Sequence, residues 1–516
     1  MKAQPTLKMM SESTVSRWIN PLLLVLAAAG VLAYTAIAAA KNAVGFPLDD
    51  SWIHQTYARN LALHGEWAFV TGEPSAASTS PLYSFLLSFG HLFGLAPFVW
   101  THLLGILALF GAGYFSRPLA ERLFPNVPWV GIGTSLMMVT TWHFVWAASS
   151  GMETMLFMTL SLAFMWAVWR ELDSDMESPV WRRGVQVGVV GGLLTLTRPE
   201  GVGLVGLAGL LMLVSRVHST RRIYLHWAVG VIAGFVLVVT PYLVINYIQS
   251  DQLLPTTIDA KIAENAPLRE QFIGRRYLRL VFSIIAGAQL VWLPGIIWGI
   301  ASTKRHWLLS LPLVWAFAHL SIFAWRLPVG YQHGRYIMPI LPPVLLYAVG
   351  GMLLAVIHFK HTPLQRVVVR TLALSAVFSV GGFWWIGGQA YGDDVRLINT
   401  EMVKTAKWVS QNVPPDELLA VHDIGAVGYY APRSVFDLAG LVSPEIVPII
   451  REPEALMQMM CEQGAQWLMV LPEQQPALDD DPRLELVYST NEPYIIEEGG
   501  EGNMKVFRLH FSPDCH

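Results

Sequence analysis

Residues 42–67 read NAVGFPLDDSWIHQTYARNLALHGEW, and two adjacent carboxylates, Asp49 and Asp50, open a stretch with helical spacing. Trp52, Ile53, Tyr57 and Leu61 form its apolar stripe, and Gly65 is a natural stop. One aspartate can serve as the helix cap. A second beside it costs repulsion, which leaves it free for chemistry as a general base or a metal ligand. His54 follows Asp50 by four residues, so the two share a face and form a candidate pair for a divalent metal. The plainer reading of His54 is a surface histidine.

Four more groups carry chemistry. Glu153 stands in WAASSGMETM beside an apolar run, where an ionisable group is a functional candidate, although it could simply cap the next helix. In LTLTRPEGVG, Pro199 and Gly201 break a helix between Arg198 and Glu200. Those two could pair with each other, or Arg198 could hold a phosphate and Glu200 a sugar hydroxyl. In GYQHGRYIMPILPP, His333, Arg335 and Tyr336 enter an apolar run. The planar arginine fork suits a phosphate, with snorkelling of Arg335 to a lipid headgroup as the alternative; Tyr336 suits an interfacial belt or a substrate contact. The loop 249–277 gathers Lys261, Arg275 and Arg276, a basic cluster for a lipid phosphate or for anionic headgroups. Asp423 and Asp437, near glycine turns, read as turn carboxylates.

The elements that position these groups lie in a membrane. The chain of 516 residues is 53% hydrophobic and only 14% charged, against about 25% charged in soluble domains. Apolar runs long enough to cross a bilayer recur, about eleven of them, beginning with an uncleaved span at 21–40. Lys and Arg gather on one set of loops. This predicts a cytoplasmic N-terminus, with the Asp49–Asp50 loop (42–80) and the C-terminus on the opposite side. Residues 1–392 then form a helical membrane domain. Residues 393–516 hold 8 Lys and Arg against 21 Asp and Glu; their alternating short strand and helix patterns predict a small extracytoplasmic α/β domain. No basic stripe for nucleic acid exists. Cys461 and Cys515 read as free thiols, with pairing as the alternative outside the cytoplasm.

Taken in order, DDSWIHQTYARNLALHGEW, STSPLY, SGMET, RPEG, GRYIMP and DIGAVGYY with DLAGL resemble the GT-C membrane glycosyltransferases. The nearest in character are aminoarabinose transferases, protein O-mannosyltransferases and bacterial arabinofuranosyltransferases. The resemblance implies a GT-C fold, a polyprenyl-phosphate sugar donor and a glycan or glycolipid acceptor. It places the reaction at the outer face of a bacterial cytoplasmic membrane and implies inversion at the sugar carbon. It assigns the base to Asp49, with Asp50 close behind, a positioning acid to Glu153, and phosphate stabilisation to Arg335 and then Arg198. Where the protein O-mannosyltransferases carry an Asp–Glu pair this chain has Asp–Asp, which disfavours a protein acceptor. The competing class is a transporter or flippase of lipid-linked sugars, but no internal repeat supports it.

Overall fold

The computed structural model describes residues 12–512 and Cys515, apart from positions 76, 174–179, 216–220, 251–252, 254, 256, 286–287, 304–308, 360–364, 473, 475–480 and 498–501. The path begins with α1 (Glu12–Ala40) and the short α2 (Asp50–His64) and α3 (Pro81–Leu92). It continues through α4 (Pro97–Leu123), α5 (Val130–Thr140), α6 (Trp142–Ser149), α7 (Thr154–Asp173), α8 (Val180–Thr197), α9 (Gly201–Ser215) and α10 (Arg221–Ser250). A loop carrying α11 (Thr257–Glu264) and α12 (Ala266–Glu270) leads to α13 (Ile273–Ile285), α14 (Leu293–Thr303) and α15 (Leu311–Arg326). The tight turn α16 (Tyr331–Gly334) precedes α17 (Leu341–His358) and α18 (Gln365–Ile398).

This is a multi-pass membrane protein. Five of the described helices are long and apolar enough to cross a bilayer, or up to seven if each bent pair counts as one span. The sequence-based count of eleven is not reached by this measure, because several predicted spans are broken or short. The run at 128–147 splits at Thr141, whose extended backbone separates α5 from α6. Next, α6 and α7 meet at a bend of 117°, beside Gly151 in the left-handed region at φ 75°. Small residues close the helix contacts. On α8, Gly184 and Gly188 lie so near the α10 backbone that a Cβ would sit 2.3 and 2.1 Å from the carbonyl oxygens of Trp227 and Val231. That is the small-xxx-small spacing by which helices associate in lipid.

The helix read from 50 to 65 forms as its pattern requires. Trp52, Ile53 and Tyr57 are buried, and Gly65 ends α2 in the left-handed conformation at φ 71°. The reading of Asp49 as its cap fails: Asp49 is itself helical and makes no side-chain cap bond there.

Beyond α18 the chain passes through residues 399–403 into α19 (Lys404–Asn412) and a five-stranded sheet. The strands are β1 (Leu419–Val421), β2 (Val435–Asp437), β3 (Trp467–Val470), β4 (Leu484–Ser489) and β5 (Lys505–Leu509), in the order β2-β1-β3-β5-β4. β2, β1 and β3 are parallel; β5 runs antiparallel to β3 and β4. Helices α20 (Ile424–Tyr430) and α21 (Pro453–Glu462) make the crossovers, and α22 (Pro493–Glu497) precedes β5. The small α/β unit expected from the alternating patterns is therefore present. Cys461 and Cys515 are joined in a disulfide, which corrects the free-thiol reading. Folding carries the chain back from β5 to place two residues 54 apart in sequence side by side.

Candidate active site

The two aspartates part company. Both carboxylate oxygens of Asp49 accept backbone N–H groups at the start of α20, from Gly425 at 2.6 Å and Ala426 at 2.8 Å. At the other end of α20, Arg59 donates to the carbonyls of Tyr429 at 2.8 Å and Gly428 at 3.1 Å. Asp49, just ahead of α2, and Arg59, within it, thus hold the two termini of a seven-residue helix, the carboxyl at its N-terminal amides and the cation at its C-terminal carbonyls. Burial first, then the nearby Asp423, push the Asp49 carboxyl up to about 8, against the pull of the two amides. Gly425 has to be glycine: a Cβ there would fall 2.1 Å from the Asp49 carbonyl oxygen.

Asp50 faces the other way. Its Oδ2 accepts from Arg335 at 2.6 Å and from Lys261 at 3.2 Å. Burial opposes its charge, but Lys261 and Arg335 outweigh burial and hold the carboxyl well below the usual range. Both cations also donate to the Tyr336 hydroxyl, each at 3.0 Å. Nε and Nη1 of Arg335 are buried with no hydrogen-bond partner among the described residues. A guanidinium that is 2% exposed and two-fifths used is poised for an anion.

A second network adjoins the first. Glu153 accepts from Arg198 at 3.0 Å and lies 3.4 Å from Nε2 of His54. Arg198 also binds Glu200 at 3.1 Å, as RPEG allowed. The Tyr336 ring joins the two networks, with Arg335, Arg198 and Lys261 over it at 4.9, 5.5 and 5.7 Å. Tyr336 is buried inside the site rather than placed in an interfacial belt.

Two cavities meet here. One, about 330 Å³, is lined by Asp50, Glu153, Arg198, Lys261, Arg335 and Tyr336 and walled by apolar side chains such as Val202, Ile258, Ile322, Phe323 and Leu327. The other, about 750 Å³, lies under the sheet and is lined by Asp49, Asp50, Lys261, Arg335, His422 and Asp423 among others. Asp50, Lys261 and Arg335 border both.

Not every candidate arrives. His54 is buried at 3% exposure, not on the surface, and its Nδ1 pairs with Ser84. It turns to Glu153 while Asp50 turns to Lys261 and Arg335, so the proposed metal pair is not assembled. Among the described residues no three His, Cys, Asp or Glu side chains gather as a metal site. His333 binds Asp394 at 2.8 Å and lines neither cavity. Arg275 and Arg276 sit on α13 and line neither. Asp437 is a turn carboxylate, as expected: it accepts the N–H groups of Ala439, Leu441 and Val442. Sequence reasoning missed Gln474, which lines the larger cavity, and gave Asp423 beside it only a turn; nothing local marks either.

A family model described as a domain of unknown function (DUF8728) matches residues 390–506. No curated protein matches the sequence. Among solved structures the chain is similar to ArnT from Cupriavidus metallidurans bound to undecaprenyl phosphate, at TM-score 0.61 and 14% identity over 96% of this chain and 98% of that one. It is similar to the Archaeoglobus fulgidus oligosaccharyltransferase, at TM-score 0.61 and 11% identity over 90% of this chain and 70% of that one. Arabinofuranosyltransferase AftD from Mycobacteria follows, at TM-score 0.53 and 14% identity over 96% of this chain but 42% of that larger one. The helical membrane portion, the small sheet and their arrangement are therefore those of the GT-C fold.

Proposed function

We propose that the chain is a membrane glycosyltransferase that moves a sugar from a polyprenyl-phosphate donor to a hydroxyl of an envelope glycan or glycolipid. The reaction is placed at the outer face of a bacterial cytoplasmic membrane. The observation that carries this reading is the Asp50–Lys261–Arg335 cluster at the junction of an apolar and a polar cavity, with two unpartnered nitrogens on Arg335. The disulfide in the sheet domain favours a non-reducing compartment.

In this reading the donor's lipid phosphate enters along the apolar cavity and takes the free edge of Arg335. The acceptor comes from the polar cavity. Its oxygen attacks the anomeric carbon as Asp50 takes the hydroxyl proton, and the carbon–oxygen bond to the phosphate breaks. The bonding pair leaves with the polyprenyl phosphate, whose growing charge Arg335 and Lys261 stabilise. A single displacement inverts the sugar carbon. Asp50, ion-paired to two cations, is a weak base at rest. An arriving phosphate competes for those cations and raises its basicity. With the Asp49 oxygens engaged by the amides of α20, Asp50 takes the part of base in this reading in place of Asp49. Glu153 then orients Arg198 on the donor side.

The test is release of free polyprenyl phosphate from a panel of polyprenyl-phosphate sugars, comparing wild type with Asp50→Asn. Release that collapses in the variant supports the transferase. No release with any donor, from protein that binds one, favours a carrier of lipid-linked sugars instead.

A further inference from the structure

The outer sheet has a topology that selects a place. β1 and β3 are parallel neighbours, yet the chain leaves β1 for β2 on one side and leaves β3 for β4 at the opposite edge. In open α/β sheets ligands bind outside the carboxyl ends of the strands at such a switch point. Here that crevice is pressed against the membrane portion and becomes the 750 Å³ cavity, within the roughly 300–1,000 Å³ usual for small-molecule sites. All three parallel strands point their carboxyl ends into it. His422 and Asp423 follow β1, Leu438 and Ala439 follow β2, and Val470 ends β3 with Gln474 just beyond.

The groups there suit hydroxyls. Gln474 Nε2 donates to Asp423 Oδ2 at 2.6 Å. His422 Nδ1 lies 3.4 Å from Asp423 Oδ1, and its Nε2 is 3.7 Å from Glu264 Oε1. A carboxylate, an amide and an imidazole in one chain of contacts offer acceptors and donors on adjacent atoms, as vicinal hydroxyls require. Tyr331, 44% exposed and lining the same cavity, supplies an apolar ring face for sugar C–H groups. Glu264 and Asp423 line the cavity together with Lys261, Arg335 and Arg451, so acids and bases offset each other along its wall and no single sign of charge selects the ligand.

We propose that this sheet edge, with Asp423, Gln474 and His422 and with Tyr331 of the same cavity, is a binding site for a neutral saccharide and presents one of its hydroxyls to Asp50. As the acceptor subsite it rests on the transferase reading; as a saccharide site it stands on the cavity and the topology.

The experiment uses purified full-length protein in detergent, a set of methyl glycosides and short neutral and anionic oligosaccharides as probes, and saturation-transfer NMR as the readout. Undecaprenyl phosphate binding is measured in parallel on the same samples. The expected result is contact with neutral saccharides that weakens at least tenfold in Gln474→Ala and Tyr331→Ala, with undecaprenyl phosphate binding and melting temperature unchanged. If Gln474→Ala melts early, Asp423→Asn, which keeps the size and one acceptor oxygen, decides in its place. Saccharide contact that survives all these variants overturns the proposal. So does the absence of neutral-saccharide contact in protein that still binds undecaprenyl phosphate. Saccharide binding at this edge without any polyprenyl-phosphate binding or turnover overturns the transferase reading and leaves the site standing.

Discussion

Asp49 and Asp50 are covalent neighbours, yet one carboxylate is bound to the amides of Gly425 and Ala426 and the other to Arg335, 285 residues away, at 2.6 Å. The first contact ties the start of α2 to α20, and the second places its carboxylate on both cavities.

Asp50→Asn is expected to lower polyprenyl-phosphate release by about 10²–10⁴-fold, the usual worth of a general base. Removing its charge frees Arg335 and Lys261, so affinity for undecaprenyl phosphate should hold or rise. Single-turnover kinetics beside equilibrium binding checks the split; a fall in affinity with unchanged turnover would contradict it.

Asp49→Asn should instead damage stability. The new amide nitrogen meets a backbone N–H that formerly had an acceptor, at a cost of about 1–3 kcal/mol. Turnover at a temperature where the variant is folded should stay within a few fold of wild type. Loss of turnover in a well-folded Asp49→Asn would return the base to that residue.

Gly425→Ala tests the same junction sterically. With a Cβ 2.1 Å from the Asp49 carbonyl oxygen, α20 has to leave α2, at about 3 kcal/mol or more. Thermal melting in detergent reads the effect. A variant as stable as wild type would show that the contact yields easily.

Stability should fall on the alkaline side. Burial opposes the charge of His422, but Asp423 and Glu264 outweigh it and bring the imidazole up to about 9. A raised histidine contributes stability that is complete below its unfolded value of about 6.5 and is lost as pH rises through about 9. Asp49, raised to about 8, adds a loss in the same direction across lower pH. Melting temperature measured from pH 6 to 10 should decline, and His422→Gln should flatten the portion above pH 6.5.

The pairing of Cys461 with Cys515 closes a segment 54 residues long. Chain entropy then predicts that the double serine variant loses about 2–4 kcal/mol. Melting of the oxidised and reduced forms measures it.

Much of this was legible in sequence, and the limits have physical reasons. The α2 helix could be read to its final glycine because a stripe of buried residues and a left-handed stop are local properties. The polar candidates Asp50, Glu153, Arg198, Lys261 and Arg335 stood out because charge is rare and costly beside apolar runs. Their pairing was not legible: Asp50 meets Lys261 across 211 residues and Asp49 meets Gly425 across 376. An aspartate capping a distant helix looks, in sequence, like one capping its own. Lys261 was named with Arg275 and Arg276 as one basic cluster, and only the path of α11 separates it from the other two. Asp423 read as an ordinary turn carboxylate and Gln474 was passed over, because a crevice at strand ends exists only once strand order is known.

The long helix α18 has one further consequence. It runs unbroken for 34 residues, about 50 Å at 1.5 Å per residue, and its far end continues through 399–403 into α19 and the sheet. Such a rod is a lever with its fulcrum in lipid. Spanning helices answer a thinner or thicker bilayer by changing tilt, and about 5° of tilt moves the end of a rod this long by about 4 Å. The continuous helical path from 369 to 412 therefore ties the tilt of the span to the direction in which the chain enters the sheet.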